Sequence, residues 1–124
     1  LECLSRGAKK ITFIEKNFEI SKILVKNLKT FMIDKEAFLI NRKIEDSLEL
    51  INKDKFNIFF FDPPFNDKEF INNFKSIKVN NIIHKNHIVV IHREKSSNDE
   101  LENWIEIKFK RNYGRSKIIF GIFK

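Results

Sequence analysis

The sequence predicts an α/β fold, on three observations. Short β-branched and aromatic runs recur as strands. The segments between them keep helical apolar spacing. The last third of the chain closes as two strands around Asn112-Tyr113-Gly114. Strands that alternate with helices argue for a mostly parallel sheet with helices on both faces, and a terminal hairpin adds antiparallel edges to it. With 124 residues, 42% of them apolar and 33% charged, the chain is expected to form one domain, residues 1–124, around its own core.

Leu1-Glu2-Cys3-Leu4-Ser5-Arg6 reads as the end of a helix already under way, stopped by Gly7, so the chain is expected to start inside an element. Lys10 to Glu15 is a short strand ending in an acid. Asn17 can cap the next helix, whose apolar positions Ile20, Ile23, Leu24, Leu28 and Phe31 keep helical spacing. Ala37 to Ile40 is a second strand, and Ile44 to Ile51 a short helix. Ile58 to Phe61 is a strand ending at Asp62, and Asp67 to Ile77 a helix with Phe70, Ile71, Phe74 and Ile77 on one side. His87 to His92 is β-branched enough for a central strand. After the polar stretch Ser96 to Glu100, Trp104 to Lys110 and Ile118 to Phe123 are the last two strands.

The charge balance narrows the partners. Twenty-four Lys and Arg against seventeen Asp and Glu leave +7, which suits a polyanion or, equally, a solvated lysine-rich surface. One cysteine, Cys3, excludes an internal disulfide framework and makes a reducing, cytoplasmic compartment the expectation. No apolar stretch approaches the roughly 18 residues of a membrane span, so no membrane partner is expected. His84, His87 and His92 make no metal-ligand pattern, since His87 and His92 fall on opposite faces of a strand; they read as surface or rim histidines, and no metal is expected.

Asp62-Pro63-Pro64-Phe65, directly after an apolar strand, carries the most chemistry. The amino group of a nucleobase is a poor nucleophile because its lone pair is delocalised into the ring. A carboxylate at Asp62 can accept one N–H and the Pro63 carbonyl the other. Two acceptors at that angle favour a pyramidal nitrogen whose lone pair is available to a methyl donor. Pro63 and Pro64 stiffen the loop, and Phe65 offers a face for a flipped base. The plain alternative is a strand followed by a Pro-Pro turn.

In open α/β sheets ligands sit at the carboxyl ends of the strands. Glu15 and Asp62 each end a strand and are therefore expected at one rim. Glu15 there can accept ribose hydroxyls of a nucleotide cofactor, or it is a helix N-terminal acid favoured by the dipole. Lys108, Lys110, Arg111, Arg115 and Lys117 bracket Tyr113. They can ride on RNA phosphates while Tyr113 stacks, or they form a charged hairpin edge that blocks aggregation.

Leu1 to Ala8, then Phe13-Ile14-Glu15-Lys16, then Phe61-Asp62-Pro63-Pro64-Phe65, and the tail Arg111 to Phe123 are similar to the RsmD-type 16S rRNA (guanine-N2)-methyltransferase family. The resemblance covers essentially the whole chain. The Asp-Pro-Pro-Phe motif is shared by many amino-methyltransferases, and the opening Glu-x-Leu-Ser-Arg-Gly-Ala narrows it. The resemblance implies a Rossmann-like methyltransferase fold, S-adenosyl-L-methionine as cofactor, and methylation of a guanine amino group in small-subunit ribosomal RNA. The expected partner is that RNA or the subunit particle, and the chain is expected to be a monomer. By position Glu15 would hold the cofactor ribose, Asp62 with Pro63 the target amine, and Phe65 would stack on the base.

Two departures accompany it. The family's first strand and Gly-rich cofactor loop are expected before Leu1, so this chain is expected to lack the central strand of the sheet, to be poorly soluble by itself, and to bind cofactor weakly. Asn41-Arg42-Lys43-Ile44 stands where the family often has an acid or Asn near the adenine, so Ile44 is left to give a backbone or apolar contact. Two other readings remain. One is an amino-methyltransferase for adenine or cytosine of DNA or other RNA; the other is a non-catalytic basic RNA-binding module.

Overall fold

The structure is a computed structural model that describes residues 2–124. Its chain divides into two units, one running to Leu50 and the other from Ile51 to Lys124. Leu1, expected in the first helix, lies outside the described residues.

The first unit begins with α1 (Glu2–Ser5). Gly7 ends it at φ +96°, and the Ala8 and Gly7 amides donate to the carbonyls of Cys3 and Leu4 at 2.9 and 3.1 Å. These are the paired bonds of a glycine-terminated helix, which give partners to carbonyls the helix itself leaves open. β1 (Ile11–Ile14) and β2 (Ala37–Ile40) pair in parallel, Ile11 beside Ala37 through Ile14 beside Ile40. A parallel pair needs a crossover, and α2 (Phe18–Thr30) supplies it. Asn17 caps α2 by accepting the Ile20 amide at 3.0 Å. The helical spacing is as expected, but the buried line runs through Ser21, Leu24 and Leu28, while Ile20, Ile23 and Phe31 are exposed. α3 (Ile44–Ser47) follows and tightens into a 3₁₀ turn over Leu48–Ile51, where a single longer helix was expected.

The second unit holds β3 (Phe56–Phe61), α4 (Asn72–Val79, after a 3₁₀ turn over Glu69–Ile71), β4 (Ile83–Glu94), β5 (Ile105–Tyr113) and β6 (Ser116–Phe123). Their order is β3-β4-β6-β5: β3 and β4 are parallel, and the other two pairings are antiparallel. The terminal hairpin thus forms the antiparallel part of a mixed sheet, as expected, and turns through Gly114 at φ +57°. β4 is twelve residues long and extends well beyond the His87–His92 run expected from β-branching.

One face of this sheet carries Phe59, Phe61, Val89, Ile91, Ile105, Ile119 and Phe123, all buried. Phe70, Phe74 and Ile77 from the α4 segment are buried as well. Phe74 lies edge-on to Phe61, Phe70 and Phe123 at centroid distances of 5.0, 5.8 and 5.7 Å, a preferred aromatic geometry. His87, expected at the surface, is half-buried within this lattice and stacks on Phe123 at 5.8 Å. Its Nε2 accepts the Phe123 amide at 3.0 Å, so Nδ1 carries the hydrogen donated to the His84 carbonyl. On the other face Ile58, Phe60, Ile88 and Phe109 are exposed.

The described residues are therefore α/β, but their six strands form two sheets rather than the single sheet that alternation suggests. β1 pairs with β2 and β3 with β4; among the described residues no strand pairs with the other edge of β1 or of β3. Strand alternation reports what each segment is, whereas ladder membership depends on which edges meet.

Gly121 makes a sharp test of the sheet. A Cβ there would lie 2.5 Å from Ile105 Cγ2 and 2.6 Å from the Glu106 carbonyl oxygen. Backbone cannot swing aside as a side-chain end can, so Gly121→Ala should lower the denaturation midpoint by an amount equivalent to about 1–3 kcal/mol. A midpoint unchanged in urea titration would show that β5 and β6 are not this closely apposed.

Candidate active site

Parallel pairing of β3 with β4 sets Phe61 beside Ile91, so the residues that follow, Asp62 and His92, emerge side by side. His92 Nδ1 lies 2.8 Å from Asp62 Oδ1. A carboxylate only accepts, so Nδ1 carries the hydrogen. Oδ2 is then the Asp62 oxygen left to receive an amine, and the Asp62 side chain is 60% exposed. The Phe65 ring stands edge-on to His92 at 5.5 Å and is itself exposed. His92 thus touches both the acid and the aromatic of the motif. The sequence reads His92 only as a surface or rim histidine, because its contact with Asp62 is set by strand register.

Pro63 and Pro64 have no amide hydrogen, so at these two positions the backbone can be held only through its carbonyls. Pro64 O accepts the Asp67 amide at 2.9 Å, closing the turn, and Asp67 Oδ1 accepts the Glu69 amide at 2.8 Å to start the next helical turn. Arg93, next to His92 but on the buried face, donates from Nη1 to Pro64 O at 2.9 Å and from Nη2 to Phe65 O at 3.3 Å. With those carbonyls engaged, the carbonyl beside Asp62 that remains to meet a ligand is that of Pro63.

In the first unit, Glu15 follows the last residue of β1 and donates its amide to the Ile40 carbonyl at 3.1 Å. Its Oε1 accepts the Asn17 amide at 2.9 Å, while its own carbonyl accepts from Asn41 Nδ2 at 2.7 Å. The carboxylate thus performs the helix-start role weighed above and keeps a second oxygen to offer. Ile44 opens α3, just past the end of β2, and is half-buried. Glu15 and Ile44 both follow the carboxyl ends of the β1–β2 pair, where a fold of this kind places ligands. The second Glu15 oxygen and the half-buried Ile44 side chain are what that end of the pair offers a ligand.

The six hairpin candidates do not share one face. Arg111 pairs with Ile118 and Tyr113 with Ser116, whereas Lys110 pairs with Ile119 and Lys117 lies opposite Arg93. Arg111 and Tyr113 therefore share the sheet face of His92, and Lys110 and Lys117 share the core face. Lys108 is paired with Glu106 at 2.5 Å and holds that carboxyl below its ordinary range. Arg115 is almost fully exposed in the turn, 3.9 Å from Glu94. Lys117 is half-buried and donates to the Ser97 carbonyl. Burial pushes its pKa down, Lys110 pushes it further, Asp99 opposes, and Arg93 adds a smaller repulsion.

A family profile described as conserved hypothetical protein 95 matches residues 1–122. The chain belongs to this family, that of the RsmD methyltransferases. The ribosomal RNA small subunit methyltransferase D of Haemophilus influenzae is 34% identical over 112 residues, which are 88% of this chain and 58% of that protein. The chain thus spans less than two thirds of its curated relative. Among solved structures, a candidate methylase of H. influenzae aligns with a TM-score of 0.79 at 27% identity, covering 97% of this chain and 76% of its own. A candidate Escherichia coli methyltransferase, yhhF, aligns at 0.76 and 25% identity over 97% and 66%. A conserved hypothetical protein of Streptococcus pyogenes aligns at 0.85 over 98% and 76%; at 20% identity it speaks for the fold alone. The family is the one the motifs resemble.

The depressed Lys117 pKa has a direct consequence for stability. At neutral pH both folded and unfolded chains hold the proton, and folding carries the full burial penalty. As pH climbs towards the ordinary lysine value of 10.5, the folded chain releases the proton first, so this penalty is relieved. Lys117→Met should raise stability at neutral pH and flatten the alkaline rise. Urea titrations of both proteins across that window check it; an unchanged slope would contradict the assignment.

Proposed function

We propose that this chain carries the acceptor-amine site of an S-adenosyl-L-methionine-dependent methyltransferase that modifies a guanine N2 in small-subunit ribosomal RNA, within a Rossmann-like fold. The observation that carries the reading is the carboxylate of Asp62 at the end of a parallel strand buried on one face, with one oxygen held by His92, followed by a Pro-Pro loop whose later carbonyls are engaged by Arg93. Family membership and the name of the Haemophilus relative support the substrate class.

Asp62 Oδ2 and the Pro63 carbonyl receive the two amine hydrogens and draw the nitrogen towards pyramidal geometry, which frees its lone pair. Asp62 Oδ2 is also placed to hold the proton the amine must lose. Phe65 stacks on the base, its ring turned by the edge contact with His92. Glu15 takes cofactor ribose hydroxyls on its second oxygen, and Ile44 gives an apolar contact to the adenine. When bound, S-adenosyl-L-methionine would supply an electrophilic methyl group. Arg111, Arg115 and Tyr113 contact the RNA, with Lys108 and Lys117 contributing less because each is already engaged and Lys110 less because it lies on the opposite face. The charge excess and the single cysteine suit a cytoplasmic, RNA-bound protein.

Transfer of labelled methyl to small-subunit RNA, naked or in the subunit particle, tests this in the full-length protein. Asp62→Ala should reduce kcat by about a hundredfold or more, the scale of removing one electrostatic group from a reacting centre. Undiminished transfer would sink the catalytic reading. Label recovered on adenine or cytosine would replace the guanine assignment, and RNA binding without any transfer would favour a binding module. Arg111→Ala should instead weaken RNA binding and reduce its salt dependence by about one counterion, with kcat at saturating RNA unchanged.

A further inference from the structure

Arg93 is the largest fully buried side chain in the chain, 1% exposed. A buried guanidinium must have partners, and this one has four hydrogen bonds. Nε donates to Asp99 Oδ2 at 2.8 Å and Nη2 to Asp99 Oδ1 at 3.1 Å, a two-pronged ion pair whose carboxylate side chain is only 6% exposed. Nη1 and Nη2 donate to the carbonyls of Pro64 and Phe65. The guanidinium plane also lies over the Phe70 ring at 4.7 Å.

Stability does not account for this arrangement. Taking two charges out of water is opposed by desolvation, and well-packed apolar residues commonly replace a buried pair without loss. An apolar pair cannot, however, present two N–H groups in fixed register to two successive carbonyls. The loop needs such donors, since its two prolines remove the amides by which it could tie itself to a neighbouring strand. Asp99 in turn fixes the guanidinium, and its segment is tied to the hairpin before it and closes a tight turn after it. The Lys95 amide donates to the Arg115 carbonyl at 2.7 Å, and the Leu101 amide to the Asp99 carbonyl at 2.9 Å.

We propose that the buried Arg93–Asp99 pair is the positioning element of the Asp62–Phe65 loop, setting the direction of the Pro63 carbonyl and of the Phe65 ring relative to Asp62. This rests on the acceptor-site reading above. Arg93 does not touch the amine; it acts through the loop. Displacing a reacting-centre acceptor by about 1 Å can cost on the order of a hundredfold in rate.

The double variant R93M/D99L separates positioning from stability, because it keeps an apolar filling and removes the donors. In the full-length protein it should melt within a few degrees of the parent. Its kcat for methyl transfer should fall at least about tenfold, with the KM for S-adenosyl-L-methionine within about twofold. Amide exchange at Phe65 to Lys68, where Asp67 bonds Pro64 O, should accelerate. If the double variant does not fold, Arg93→Lys takes its place, since it keeps the cation and loses the fork. A folded variant with parental kcat and parental loop exchange overturns the proposal, as does a kcat loss accompanied by an equal rise in KM with unchanged exchange. If the parent shows no transfer, or Asp62→Ala leaves it intact, the functional reading has failed by itself; loop exchange then still decides whether Arg93 holds the loop.

Discussion

The parallel register between β3 and β4 is the constraint on which the candidate site depends. Phe61 beside Ile91 fixes which β4 residues meet the loop that follows. The next residue of β4, His92, then points to the side of Asp62, and the one after it, Arg93, points into the core beneath Pro64 and Phe65. A shift of one residue would exchange these faces, burying a histidine with no acid to meet and exposing the arginine. The register is held by the aromatic core, where Phe59 and Phe61 lie beside Val89 and Ile91 and close on Phe74 and Phe123. Packing on one face of the sheet thereby orients polar groups at its end.

The two faces of β4 do different chemical work. His92 is half-exposed and meets the charged end of Asp62, so it acts where solvent and ligand can reach. Arg93 is out of water and meets main-chain carbonyls, where a hydrogen bond is strong and a missing partner expensive. A proline-rich loop gains rigidity from its rings but loses the amides that would anchor it. A buried donor from the neighbouring strand restores the anchor. The same alternation runs through the hairpin, which is why Arg111 and Tyr113 fall on one face while Lys110 and Lys117 fall on the other.

Much of this was legible from residues alone. The strand ending at Asp62, the cap at Asn17, the glycine stop at Gly7 and the closing hairpin all rest on local rules with a span of a few residues. The family was legible too, from an opening segment and a motif that survive in order. The buried side of α2 was not. Ile20, Ile23 and Phe31 keep helical spacing, yet the line through Ser21, Leu24 and Leu28 is the one that packs, because the strand against which a helix lies decides its rotation. The role of His87 was hidden for a similar reason. Its two ring nitrogens link the His84 carbonyl to the Phe123 amide, thirty-six residues away.

By itself the sequence determined the kind of each element, the chemistry available at Asp62-Pro63-Pro64-Phe65, and the family to which the chain belongs. These depend on side-chain type and short-range spacing, which a linear string records completely. Tertiary structure alone decided that His92 meets Asp62, that Arg93, paired with Asp99, meets the loop carbonyls, and that the strands assort into two sheets. Each of these is a contact between segments whose relative register is set by packing. A residue's partner across a sheet follows from where two strands begin to pair, and no local pattern encodes that choice.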